Sequence, residues 1–186
     1  MIDHFRFAAP IYDRALGPPN IDRLKRLLDL PVSGWLLDAG GGTGRVSAPL
    51  VPWTRHLAAA DVSRPMLRRA RNKPLTPIGA AAERLPFSDD TFHRVLVVDS
   101  LHHFSDPGRS LEEFFRVLRP GGRLLVEEPD IRRLPVKLAA LGEKLLRMGS
   151  RFLYPVEILN TCSAVGFSAR IAESDLLRIW IIGDKP

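Results

Sequence analysis

The stretch from Leu36 to Arg45, LLDAGGGTGR, decides the fold. Trp35, Leu36, Leu37 and Asp38 read as a buried strand, an apolar run that ends in an acid. The glycines at 40, 42 and 44 then form the turn leaving its carboxyl end. Glycine there accepts positive φ and lets a ligand lie against main chain with no Cβ between them. A helix starting after such a turn would offer N–H groups to an acceptor. This is the layout of a nucleotide-type site.

Spacing narrows the choice of nucleotide. A dinucleotide fingerprint needs glycine at its first, third and sixth positions, and counting from Gly40 the sixth is Arg45. The tighter pattern suits a ligand with no pyrophosphate to seat. The next apolar run, LAAADVS, ends on Asp61. An acid about 20 residues beyond the glycines, at the tip of the second strand, is placed to accept hydrogen bonds from ribose hydroxyls.

Three further blocks follow in order: ADVSRPMLRRAR, AAERLPFSDDTFHRVLVVDSLHHFSDP and LEEFFRVLRPGGRLLVEEP. With LLDAGGGTGR they make the chain closely resemble class I S-adenosylmethionine-dependent methyltransferases. The resemblance is to the small-molecule group that includes the ubiquinone/menaquinone-biosynthesis methyltransferases. The opening FAAPIYDRAL is also similar to that group's N-terminal segment. The resemblance implies an α/β, Rossmann-like three-layer sandwich. Its seven-stranded, mostly parallel sheet would have order 3-2-1-4-5-7-6, with the last strand pair antiparallel.

Composition suits one domain over 1–186: the chain is 45% hydrophobic, enough for a single core. Within it, 1–30 reads as an N-terminal cap segment and 131–154 as a lid-like insertion. No apolar run is long enough to span a membrane, and MIDHFRF does not open as a signal peptide does. Cys162 is the only cysteine, which excludes an intrachain disulfide and a cysteine metal cluster. These features predict a cytoplasmic protein. The net charge of +6 raises the question of nucleic acid. The cations are scattered among 21 acids and only two tyrosines could stack bases, which argues against it.

Apolar runs alternating with helical patterns predict βαβ units. Strands are expected near 35–39, 57–61, 76–80, 93–98, 122–128, 167–173 and 176–183. Helices are expected near 20–29, 44–51, 64–72, 107–118, 134–148 and 155–165, the second one short because of Pro49 and Pro52. Ser63 is the expected N-cap of the helix carrying Met66. Pro155 suits the first turn of a helix and Gly166 its C-terminal cap. FSARIAE and LLRIWIIG are too close for a helical crossover and must pair antiparallel.

The resemblance assigns the cofactor, S-adenosylmethionine, to specific residues. Asp38, Gly40 and Gly42 would hold its amino-acid tail and its neighbourhood, Gly44 would belong to the same cofactor-binding turn, and Asp61 would hold its ribose. Val62 and Met66 would flank the adenine, with Ala82, Glu83 and Asp99 completing the site. Many relatives place an acid two residues before the glutamate of ERLPF to meet the adenine amino group; here that position is Ala81. His102 and His103 follow the fourth strand, at the sheet edge where such folds bind ligands. Either is a candidate general base, since histidine titrates near neutrality; the bland reading is that they pack and shape the loop. Adjacent histidines lack metal-ligand spacing, so no metal is expected.

Leu138 and Leu141 recur at helical spacing in 131–154, among basic residues. They read as the underside of a lid over an apolar acceptor, with Phe7 and Tyr12 closing the other side. The same segment could instead touch anionic lipid, or be an ordinary helix with a solvated basic face. The expected activity is methyl transfer to a small apolar or aromatic acceptor, at oxygen or carbon. The rivals are a non-catalytic cofactor-binding or regulatory protein and an RNA methyltransferase.

Overall fold

The computed structural model describes residues 18–145 and 150–186. Within them one sheet carries β1 (Val32–Ala39), β2 (Thr54–Asp61), β3 (Thr76–Gly79), β4 (Phe92–Val98), β5 (Leu118–Pro129), β6 (Ser168–Ser174) and β7 (Arg178–Asp184). Their order is β3-β2-β1-β4-β5-β7-β6, as the resemblance implies. Pairing is parallel from β3 to β5 and antiparallel for β5·β7 and β6·β7. Three residues, 175–177, join β6 to β7, too few for any crossover.

Alternation along the strands builds two cores. Leu37, Val95, Val97, Leu124, Val126 and Ile181 face one side, where α3 (Pro107–Val117) and α5 (Pro155–Val165) bring Leu111, Phe114, Ile158 and Cys162. Leu36, Leu57, Leu96, Leu125 and Trp180 face the other, against Leu24, Leu27 and Leu28 of α1 (Ile21–Leu28). Side chains one residue apart thus serve opposite layers, which makes the three-layer sandwich. Two further α-helices are described, α2 (Arg64–Ala70) and α4 (Leu134–Leu145), with 3₁₀ turns at Ala48–Trp53 and Leu101–His103. None of the described helices is long and apolar enough to cross a membrane.

One expected element differs. The helix anticipated over 44–51 is a 3₁₀ turn, Ala48–Trp53. Pro49 and Pro52 each remove a backbone N–H that an α-helix would use, so the first crossover is a short proline-rich bend. Ser63 does occupy the N-cap of α2, but its side chain makes no capping hydrogen bond. Pro155 opens α5, and Gly166 closes it in the left-handed region at φ 116°.

Candidate functional site

The parallel pairing of β1 with β2 and β4 brings three strand ends to one edge, and a cavity of about 440 Å³ opens there. The glycine turn forms one wall. Its N–H groups are committed within the protein: Gly40 and Gly41 donate to the Ala60 carbonyl (2.8 and 3.1 Å), and Gly44 to the Gly41 carbonyl (2.8 Å). Gly42 donates to Asp61 Oδ2 (2.8 Å). The expectation of N–H groups offered by a following helix therefore fails, since no α-helix follows and the turn uses its own donors. What the turn offers is main chain without side chains. Gly40 sits at φ 71°, and a Cβ there would come within 2.5 Å of the Ser100 Cβ. Gly40, Gly41 and Gly42 line the cavity. Gly44 does not; its added Cβ would strike Leu75 at 2.6 Å, so packing sets that position.

Asp38 and Asp61 stand on either side of this turn. Asp38 lines the cavity and is 2% exposed. Burial pushes its carboxyl up to about 7; the adjacent Ser47 hydroxyl lowers it, Asp61 adds to the rise and Arg45 lowers it. Among the described residues, Asp38 Oδ2 has no hydrogen-bond partner. Asp61 accepts from Gly42 N through Oδ2 and from Ser63 N through Oδ1 (2.7 Å), which fixes its carboxylate at the β2 tip.

Val62, Met66, Ala81, Ala82, Glu83 and Asp99 also line the cavity. Met66 is buried and Val62 exposed, so they flank that region from inside and from the rim. Glu83 Oε1 accepts from Asp106 N (3.1 Å), tying its loop to the start of α3. Asp99 adopts φ 51°, an uncommon left-handed conformation for a residue with a side chain. Its Oδ1 accepts from Arg178 Nη1 (2.7 Å), which also binds Glu127 (2.9 Å). Asp99 thus enters the site as a paired acid.

The two histidines part ways. His103 reaches the cavity lining; His102 lies behind it, 5% exposed. His102 Nδ1 meets Glu128 Oε2 at 2.5 Å, and its ring stacks on Phe152 at 4.4 Å. His103 Nδ1 contacts the Ser150 hydroxyl at 3.1 Å. Burial first, then the neighbouring His102, pull the His103 imidazole down to about 3. It is neutral across ordinary pH. Glu128 and Phe152 carried no sequence signal: one is the second of two adjacent acids in VEEP, the other lies within an apolar run.

Leu138 and Leu141 are not brought to the cavity. They are 61% and 54% exposed on α4 and absent from its lining, so the described structure turns them outward. Phe7 and Tyr12 lie outside the described residues, as does the 146–149 part of the lid-like insertion. No group of three or more His, Cys, Asp or Glu side chains among the described residues could hold a metal ion.

The residues present fit S-adenosylmethionine. A buried carboxylate oxygen without a donor answers an ammonium, a strand-tip acid answers ribose hydroxyls, and a Cβ-free turn admits close approach. The comparisons agree. Residues 37–126 match the model of a methyltransferase domain. The chain is 40% identical over 191 residues to the ubiquinone/menaquinone biosynthesis C-methyltransferase UbiE of Klebsiella pneumoniae, covering 86% of this chain and 76% of that protein. It is 35% identical over 143 residues to the demethylmenaquinone methyltransferase of Clavibacter sepedonicus; that match covers 70% of this chain but 58% of the relative's length. The YcgJ protein of Bacillus subtilis shares the fold, with a TM-score of 0.78 at 19% identity over 89% of this chain and 97% of that one. The chain belongs to the class I S-adenosylmethionine-dependent methyltransferases.

Proposed function

We propose that this chain transfers the methyl group of S-adenosylmethionine to carbon or oxygen of a small apolar or aromatic acceptor. A quinone precursor is the leading candidate, from the names of the relatives that are 40% and 35% identical. The observation that carries the reading is that Asp38, Asp61, His103 and Phe104 line one and the same cavity. In this reading Asp38 takes the cofactor ammonium, Asp61 the ribose, and Met66 with Ala81 and Ala82 the adenine. The bound cofactor supplies a sulfonium methyl with a good leaving group. The chain's work is then chiefly to align the acceptor with it, which alone accounts for large rate effects. His103, neutral and weakly basic, orients an acceptor hydroxyl instead of removing a proton forcefully.

Calorimetry with S-adenosylmethionine and S-adenosylhomocysteine, followed by methyl transfer to a demethylated quinone analogue, tests this. Binding with turnover supports it. Binding without turnover on apolar or aromatic acceptors leaves the non-catalytic rival standing, and absence of binding rejects both.

One observation favours a second reading. Arg64, Arg68, Arg69 and Arg71 stand exposed on or just beyond α2, the helix whose Met66 lines the cavity. An RNA methyltransferase would place cations there. Salt-dependent RNA binding that competes with methylation of the quinone analogue would favour it.

A further inference from the structure

The parallel strands bring their carboxyl ends to the edge that holds the cavity, and β7, running the other way, brings its first residue there. That residue is Arg178, paired with Pro129 at the end of β5. Asp175 fixes its backbone on both sides: Oδ1 accepts from Arg178 N (2.9 Å), and Asp175 N donates to the Arg178 carbonyl (3.0 Å). From this anchored position Nη1 alone bridges two acids at the ends of β4 and β5, Asp99 Oδ1 (2.7 Å) and Glu127 Oε1 (2.9 Å). The acids also meet through the backbone, since Asp99 N donates to the Glu127 carbonyl (3.0 Å). Two carboxylates this close need a cation if both are to stay ionised. Burial raises the Glu127 carboxyl above its ordinary value and the Asp99 charge adds to the rise, while Arg178 opposes both.

Of the three residues only Asp99 lines the cavity. It does so from a left-handed backbone, φ 51°, which persists only where the surroundings hold it. Arg178 and the Glu127 carbonyl supply that hold. Asp99 Oδ2 accepts no hydrogen bond among the described residues. Along the sheet edge Asp61 ends β2, Asp38 lies on β1 and Asp99 follows β4, in that spatial order. The first two serve the cofactor's ribose and ammonium in the reading above, which leaves the third acid for the methyl acceptor. An ionised carboxylate only accepts hydrogen bonds, so it selects a ligand that brings a donor. We propose that Arg178 is a positioning residue: it clamps Asp99 by Oδ1, so that Oδ2 receives a hydrogen bond from a hydroxyl of the methyl acceptor. The inference rests on the proposed reading of the cavity as a joint site for cofactor and acceptor.

The test is calorimetry on the full chain loaded with S-adenosylhomocysteine, with naphthol and its methyl ether as probes that differ in one donor. The wild-type chain should bind naphthol more tightly by about tenfold or more. Arg178→Met should remove that preference, and Arg178→Lys, which keeps a cation without the planar fork, should recover part of it. Arg178→Met combined with Glu127→Gln separates positioning from charge balance. It relieves the repulsion between the acids without restoring the clamp, so thermal stability should return toward wild type while the preference stays lost. A preference that returns in this double variant overturns the proposal and makes Arg178 a counter-ion only. A wild-type chain that binds S-adenosylhomocysteine but treats the two probes alike overturns it too, and leaves the cofactor reading standing. Absence of S-adenosylhomocysteine binding overturns both. Loss of S-adenosylhomocysteine affinity in folded Arg178→Met sets Asp99 against the cofactor and overturns the assignment to the methyl acceptor.

Discussion

Glu128 and His102 are joined carboxylate to imidazole, Oε2 to Nδ1 at 2.5 Å, with both side chains 5% exposed. The other oxygen of the same carboxylate accepts from Ser100 N (2.9 Å) and Leu101 N (2.8 Å). One acid at the end of β5 therefore holds three donors of the turn that follows β4. Ser100 in turn donates to the Ala39 carbonyl (3.1 Å) and packs on Gly40, so the anchor extends to the glycine turn.

This arrangement fixes the His102 tautomer with its proton on Nδ1, facing the carboxylate. Glu128→Gln can keep Oε1 on the two backbone donors but must present an amide N–H to Nδ1. The proton should then move to Nε2, a change read directly from imidazole ¹⁵N shifts. Glu128→Ala leaves two buried N–H groups unpaired, which should destabilise the fold by roughly 2–5 kcal/mol in denaturant unfolding. A tautomer unchanged in Glu128→Gln would refute the assignment.

Asp61 shapes the glycine turn as well as presenting an acceptor at the β2 tip. Asp61→Ala should lower S-adenosylhomocysteine affinity by about 1.5–3 kcal/mol, because a charged acceptor is lost and Gly42 N loses its partner. Asp61→Asn keeps acceptor oxygen and should recover part of that loss in calorimetry. Wild-type affinity in Asp61→Ala would remove the ribose site.

Asp38 links stability to pH in an unusual sense. Its folded pKa, about 7, lies above the ordinary carboxylate value of 3.8. The folded state thus holds a proton that the unfolded state has released, and stability falls as pH rises between these values. The full window corresponds to a loss on the order of 4 kcal/mol, present above pH 7 and absent below pH 4. Thermal unfolding of Asp38→Asn should lack this component. Binding a cofactor ammonium should instead favour the carboxylate, so proton release on binding is expected near pH 6. Equal calorimetric enthalpies in buffers of different ionisation enthalpy would contradict it.

The parts of the fold readable in the sequence are those with short-range causes. Gly40 and Gly42 declare a turn needing positive φ, Asp61 ends a strand, and 175–177 are too few residues for a crossover. Sheet order came from resemblance, because strand neighbours are set by pairings far apart in the chain. Glu128 was illegible for the same reason: its partners are nearly thirty residues away, and nothing in VEEP distinguishes it from Glu127. Leu138 and Leu141 show the limit of periodicity. Their spacing gives a helical face, but not whether that face looks inward or outward, and the structure turns it outward. At 44–51 periodicity competed with Pro49 and Pro52, and the missing N–H groups prevailed.

Ala81 offers the sharpest test of the register inferred from ERLPF. It lines the cavity between Ala80 and Ala82, so that end presents methyl groups where many relatives have an acid. Position 81 is only partly buried, and a carboxylate there stays in contact with solvent. If the adenine amino group lies near it, Ala81→Asp adds a charge-assisted acceptor. S-adenosylhomocysteine should then bind about 0.5–1.5 kcal/mol more tightly. Inosine-containing S-inosylhomocysteine, which lacks the amine, should gain nothing, and that difference separates a specific hydrogen bond from a general electrostatic gain. Equal changes for the two ligands, or weaker binding of the adenosine compound, would place the amine elsewhere in the cavity.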